Sequence, residues 1–162
     1  ALQIAKRLGA RVWVTSGSDA KLERARQLGA DAGFNHRTQD VAREVRARTG
    51  KRGADVVVDS VGQATWTQSL LALGKRGRLV TGGATSGPMV ETDLRRLFWN
   101  QWSILGSTMG NDREVDDMMR AFAGGALLPP VDSVFSMADG RAAYERLASA
   151  DHFGKIVIRV AD

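Results

Sequence analysis

No cysteine occurs in the 162 residues. A disulfide framework, a thiolate zinc site and a cysteine nucleophile are therefore excluded within this chain. Histidine is nearly as scarce: His36 and His152 are the only two, too few for a zinc cage without carboxylate help. No run of eighteen apolar residues is present, so no membrane span is expected. The opening Ala1-Leu2-Gln3-Ile4-Ala5-Lys6-Arg7-Leu8 lacks an initiator methionine and the hydrophobic region of a signal peptide. A soluble, cytoplasmic protein is the expectation. Although there are 18 glycines, no Gly-x-Gly occurs anywhere.

What is present suits a folded domain. Apolar residues make up 43% and charged residues 25% of the chain, which separates it from disordered sequences. The net charge of +5 raises the question of a nucleic-acid partner. Arg37, Arg43, Arg46, Arg48, Lys51 and Arg52 cluster, with Asp40 and Glu44 among them. At helical spacing these positions describe mostly a solvated face, and no aromatic residues are interleaved to stack on bases. Neither nucleic acid nor membrane is expected as a partner.

A short phrase recurs. Leu8-Gly9-Ala10-Arg11-Val12-Trp13-Val14 reads as a helix end, a glycine stop and a strand. Leu28-Gly29-Ala30-Asp31-Ala32-Gly33-Phe34 and Leu73-Gly74-Lys75-Arg76-Gly77-Arg78-Leu79-Val80 read the same way. Strands alternating with helices of this length predict parallel crossover units. Helices are expected at 1–8, 19–28, 39–48, 64–72 and about 93–98, with strands at 11–15, 32–35, 54–59, 78–82 and 101–106. Val115, Met118, Met119 and Phe122 fall on one helical stripe, read as core packing. Beyond Pro129-Pro130, a strand at 131–135, a helix opened by Ser136-Met137-Ala138-Asp139 and a closing strand at 153–160 complete the chain.

This order resembles the cofactor-binding domain of the medium-chain dehydrogenase/reductase superfamily, which includes zinc-type alcohol dehydrogenases and quinone oxidoreductases. The resemblance rests on Ile4–Ala10, Gln27-Leu28-Gly29-Ala30-Asp31, Ala54–Gly62, Gly77-Arg78-Leu79-Val80-Thr81-Gly82-Gly83, Ile104–Gly110 and His152–Val157. It implies an α/β fold: a Rossmann-like, doubly wound, mostly parallel sheet in three αβα layers. It also implies that the first strand and Gly-rich pyrophosphate turn are lacking, because the ribose-reading position lies about 20 residues beyond that turn. Residues 1–130 would form a truncated dinucleotide-binding domain. Residues 131–162 would return toward a catalytic domain holding most of the substrate pocket. Losing the first strand would expose two rows of backbone groups within the sheet. The gap would then close by a strand shift, be filled by another copy, or leave one half poorly ordered.

The resemblance implies NADP(H) as cofactor. At the second strand's end, NAD enzymes of the family place an acid where Ser16 aligns. Ser16, Gly17 and Ser18 are small and neutral, Lys21 lies one turn into the next helix, and His36 matches a common tyrosine. Together they would surround a phosphate on the adenosine ribose, with Asp19 as the opposing charge. Without the family, Ser18 reads as a helix N-cap, Lys21 as solvated and His36 as a loop residue. Ser60, Val61 and Gly62, then Gly82 and Gly83, then Ser107, Thr108 and Met109 follow three strands and would approach the nicotinamide half. The glycines read equally well as tight turns. Lys155 matches a family lysine or is a strand-edge charge.

No catalytic acid or base and no metal ligand is assigned within these residues; zinc dependence would be set elsewhere. The Asp151-His152 pair reads as a structural turn. The implied activity is hydride transfer between NADP(H) and an alcohol or aldehyde, quinone or activated alkene, with the chain alone inactive. The alternative is a non-catalytic dimerisation module. The strand at 101–106 would pair across a two-fold axis in a homodimer, with Phe98, Trp99 and Trp102 divided between core and interface.

Overall fold

A computed structural model describes residues 1–161. The chain divides into two compact units, Ala1–Gly110 and Asn111–Asp162. The first contains α1 (Leu2–Arg7), β1 (Trp13–Ser16), α2 (Asp19–Gln27), β2 (Ala32–Asn35) and α3 (Val41–Arg48). It continues with β3 (Ala54–Asp59), α4 (Trp66–Ala72), β4 (Leu73–Thr81), α5 (Leu94–Asn100) and β5 (Ser103–Gly106). Every pairing is parallel, as crossover helices require.

The strands form two sheets, β1-β2 and β3-β4-β5. This is the doubly wound order with one position between β1 and β3 unfilled. The expected gap is therefore present, and it is not closed by a strand shift. β1 keeps its register with β2, Trp13 opposite Ala32 and Ser16 opposite Asn35. β3, with no partner on its other edge, leaves Val58 62% exposed.

Helices α3 and α4 join the halves. Phe34, Val45 and Ala72 share a buried cluster, with Trp13 on one side and Ala54, Val57 and Leu71 on the other. Val57 also packs on the second cluster, Trp66, Leu70, Leu73, Leu79 and Trp102. The Ala42 N–H donates to Gln68 Oε1 at 3.1 Å. Arg46 donates to three carbonyl oxygens, those of Leu71, Leu73 and Lys51. The basic cluster is thus not all solvated: Arg46 points across the helix pair because its guanidinium satisfies carbonyls at the end of α4.

Two of the three repeated phrases end helices as expected. Leu8 and Leu28 are the C-caps of α1 and α2, followed by Gly9 and Gly29 at φ of 78° and 100°, a region that favours glycine. The third differs. Leu73 leaves α4 extended and begins β4, pairing with Ala54. Glycine at 74 and 77 serves close packing instead: a Cβ at 74 would lie 2.7 Å from the Arg52 carbonyl oxygen.

Gly53 combines both demands, with φ of +90° and a virtual Cβ 2.5 Å from the Gly74 nitrogen. Gly53→Ala is expected to cost roughly 2 kcal/mol or more, through strain at positive φ and displacement of β4. Urea unfolding with a lowered midpoint checks this; an unchanged midpoint refutes it.

The second unit contains α6 (Asp112–Ala123), β6 (Val131–Ser136), α7 (Gly140–Ala148) and β7 (Lys155–Arg159), with β6 and β7 parallel. A reciprocal capping box between Asn111 and Glu114 starts α6. The stripe expected in the core is exposed at Val115, Met118 and Met119. The helical spacing holds, but no residue of α6 is buried: amphipathic period fixes a face, not its partner. The Ser136–Asp139 pair forms its two hydrogen bonds, while the helix itself begins at Gly140. Asp132 joins β6 to α7 through two bonds from Arg146 and one from the Phe153 N–H. The Arg146 guanidinium, then that N–H, hold its carboxyl well below the ordinary range.

Candidate functional site

The expected residues fall at the carboxyl ends of parallel strands, where open α/β sheets place ligands. They form two groups, one on each sheet.

The first group lies at the ends of β1 and β2. The His36 N–H donates to the Ser16 carbonyl at 3.1 Å, setting the two strand exits side by side. The Ser18 N–H donates to Ser16 Oγ at 3.2 Å, and Ser18 Oγ accepts from the Lys21 N–H at 3.5 Å. Ser18 is therefore the N-cap of α2, and both serine hydroxyls keep a proton to donate. Lys21 is half-buried in the first turn, and His36 is exposed. Asp19, the opposing charge, is clasped: Asn35 Nδ2 donates to Asp19 Oδ1 at 2.9 Å. Asn35 itself is buried. Sequence reasoning passed over Asn35 and placed Arg37 only in the solvated basic cluster, although both flank His36.

The second group lies at the ends of β3, β4 and β5. The Gly82 N–H donates to the Asp59 carbonyl at 3.3 Å, and the Ser107 N–H to the Thr81 carbonyl at 2.9 Å. Ser60, Gly82 and Ser107 thus leave three adjacent strands. A loop at 84–87 is tied to the first turn: the Ser86 N–H and Oγ–H both donate to the Val61 carbonyl, at 2.8 and 2.7 Å. The glycines differ in what they serve. A Cβ on Gly62 would lie 2.6 Å from the Gly87 carbonyl oxygen, and one on Gly83 2.9 Å from that of Ser60. Those two positions are used by close packing within the protein. Gly82 is exposed, as are Ser107, Thr108 and Met109, and these offer the open backbone.

Beneath this ridge sits Asp59, 4% exposed. Its carboxylate accepts from the Val61 and Gly62 N–H groups at 2.8 and 3.0 Å, and from the Thr65 and Ser69 hydroxyls at 2.7 and 2.6 Å. Burial alone would push this carboxyl up; the bonds from Ser69, Gly62, Thr65 and Val61 more than offset it and hold it below the ordinary range. The signal was an acid closing the apolar run Asp55-Val56-Val57-Val58-Asp59, with hydroxyls six and ten residues on.

Elsewhere, His152 Nδ1 is buried with no hydrogen-bond partner, and Lys155 is exposed at the start of β7. Trp102 is buried and donates to the Gly74 carbonyl at 2.9 Å; Phe98 and Trp99 are 67% and 78% exposed. Among the described residues no group of three His, Asp or Glu side chains is placed to hold a metal. No helix is long and apolar enough to cross a membrane among them.

Parallel strands, flanking helices and strand-end turns of small residues place this among Rossmann-like α/β folds. A family model, zinc-binding dehydrogenase, matches residues 1–124. The chain belongs to that family. Its wider superfamily is the medium-chain dehydrogenases/reductases. A 2-haloacrylate reductase from Burkholderia is 32% identical over 95% of this chain and 49% of its own length. The crystal structure of an NAD-dependent alcohol dehydrogenase superposes with a TM-score of 0.92 at 38% identity, over 99% of this chain and 47% of that one. A mycobacterial protein solved with NADPH gives a TM-score of 0.81 at 27% identity, over 98% of this chain and 53% of that one. This dehydrogenase-family chain therefore spans about half the length of the relatives it matches, and those relatives are oxidoreductases.

Proposed function

We propose that the chain is the cofactor-binding half of an NADP(H)-dependent oxidoreductase acting on an alcohol or aldehyde, a quinone or an activated alkene. In this reading residues 131–162 lead back toward a catalytic domain, and the chain alone binds cofactor without turnover in a cytoplasmic setting. The observation that carries the cofactor choice is the β1–β2 corner. Ser16, Gly17 and Ser18 put no carboxylate beside the ribose, Asn35 clasps Asp19, and Lys21 and His36 stand on the same rim. A doubly charged phosphate finds donors there and is not opposed by an acid at the strand end. An NAD-dependent relative and an NADPH-bound one both occur on this fold, and the chemistry of the corner supports the phosphorylated nucleotide.

The residues fit the two ends of a dinucleotide. The bound nicotinamide supplies a hydride. Ser16, Ser18, Lys21 and His36 would hold the adenosine end. Ser60, Val61, Gly82, Ser107, Thr108 and Met109 would lie along the other end, where exposed backbone groups orient a planar amide. Gly62 and Gly83 shape that ridge from within. No residue is assigned an acid, base or metal-binding role.

A second reading, an association module, is favoured by the outer edge of β5. β5 pairs with β4 alone, all four of its residues are exposed, and Leu94, Phe98 and Trp99 are exposed on nearby α5. An edge of that kind invites a second copy.

Titration of the chain with NADPH and NADH, followed by tryptophan fluorescence and light scattering, tests both. Saturable binding with NADPH preferred by about tenfold or more is expected, the scale of one charge-assisted contact. Preference for NADH overturns the NADP(H) assignment. A dimer that binds neither nucleotide supports the association module. Lys21→Glu is expected to remove most of the preference; an unchanged NADPH affinity rejects Lys21 as a ligand.

A further inference from the structure

We propose that Gln68 is a positioning residue that fixes the distance between the two ends of the nucleotide site, so that they bind as one; this rests on the nucleotide-binding reading above. The need for such a residue follows from the gap. The adenosine corner stands on β1-β2 and the nicotinamide ridge on β3-β4-β5, and no strand pairs with both sheets. No backbone ladder therefore sets their spacing, and the task falls to side chains between the crossover helices.

Both helices begin on the side of the site. α3 starts at Val41, just beyond the end of β2 at Asn35, and α4 starts at Trp66, just beyond the end of β3 at Asp59. Gln68, half-buried, joins their first turns. Its Oε1 accepts from the Ala42 N–H at 3.1 Å, one of the first-turn donors that a helix leaves without an internal partner. The N-cap carboxylate of Asp40 is engaged one residue further on, by the Arg43 N–H at 3.0 Å.

On each side the hydrogen bonding continues to the site. Ser69, the next residue of α4, donates to Asp59 Oδ2 at 2.6 Å, and Asp59 accepts from the Val61 and Gly62 N–H groups of the ridge. At the entry to α3, Gln39 Oε1 accepts from the Asn35 N–H at 2.8 Å, and the Gln39 N–H donates to the Asn35 carbonyl at 2.9 Å. Asn35 is the buried amide that clasps Asp19. Gln68 stands where these two clusters meet. Arg46 pins the same helix pair at its opposite end, on the carbonyls of Leu71 and Leu73, and leaves the rim to Gln68.

Two half-sites held at a fixed separation give a ligand that spans both a high effective concentration at the second end once the first is seated. Loosening the separation lowers that gain and leaves each half-site as it was.

The probes are adenosine 2′,5′-bisphosphate, reduced nicotinamide mononucleotide and NADPH, each titrated into the 162-residue chain by protein-detected NMR. In the wild type NADPH is expected to bind at least about 100-fold tighter than the tighter half. Gln68→Leu keeps the bulk and removes the acceptor. It is expected to lower NADPH affinity by about tenfold while both halves stay within about twofold of wild type. Gln68→Glu, which keeps an acceptor oxygen, should recover most of the loss. A merely destabilising substitution would not separate the whole ligand from its halves. If Gln68→Leu does not fold, Gln68→Asn, whose amide stops one methylene short, carries the same expectation. NADPH affinity within about threefold of wild type in the folded loss variant, or a loss matched in one of the halves, overturns the role of Gln68. Wild-type NADPH binding no tighter than a half overturns the fixed spacing while both half-sites stand. If the wild type binds none of the three, the nucleotide-binding reading falls and takes this role with it.

Discussion

Alanine at position 59 is expected to destabilise the fold by about 2–4 kcal/mol, because four donors lose a single buried acceptor group. The Val61 and Gly62 N–H groups and the Thr65 and Ser69 hydroxyls all converge on Asp59. Only Thr65 has a second acceptor, the Gly62 carbonyl at 3.3 Å. Asparagine should cost less: its Oδ1 still serves the two amides, and the hydroxyls can turn to accept from Nδ2. The variants also differ in their response to pH. The folded-state pKa of Asp59 lies below its unfolded value, so the folded chain binds fewer protons. Its contribution is complete above the unfolded carboxylate range and is lost as pH falls through the depressed folded value. Urea midpoints measured from neutral pH into that acid window should converge for wild type and Asp59→Asn. A constant offset between them would remove Asp59 from the acid response. Weakened closure of the turn should also loosen the Ser86–Val61 contact and with it the exposed ridge, so a variant of wild-type stability would contradict the whole arrangement.

The period of the apolar residues and the glycine stops were enough to place strands and helices in order, because these signals are local. Leu8-Gly9 and Leu28-Gly29 name their own helix ends. Leu73-Gly74 looks the same in sequence and means something else, since its glycine answers to the Arg52 carbonyl, far along the chain. The gap between β1 and β3 was legible from family order. That the gap stays open was not, because it depends on helix packing away from the strands. The site divides in the same way. Ser16, Gly17 and Ser18 announce a small neutral strand end. The role of Asn35 depends on strand pairing that brings two exits together. For α6, the spacing was read as core packing, and the face it defines is exposed at Val115, Met118 and Met119, because period fixes a face and not what covers it.

Arg46→Ala is expected to cost about 2–4 kcal/mol, on the scale of several charge-assisted hydrogen bonds lost at once. Its Nε and one terminal nitrogen donate to the Leu71 and Leu73 carbonyls at 2.9 Å each, and the other terminal nitrogen to the Lys51 carbonyl at 3.0 Å. Two of those oxygens close α4, where carbonyls lack intrahelical partners and a positive charge is favoured. Lysine should restore less than half, since one ammonium cannot serve three divergent oxygens as a planar fork does. The pattern of the loss is more telling than its size. No ladder joins β1-β2 to β3-β4-β5, so α3 against α4 carries the connection between the sheets. Hydrogen exchange in Arg46→Ala should therefore quicken first in β1, β2 and α3, with Leu73–Thr81 and Val57 slower to respond. Uniform acceleration would mean that the two sheets open as one unit despite the gap. Unchanged exchange would assign the connection to the apolar contacts of Phe34, Val45, Val57 and Ala72 alone.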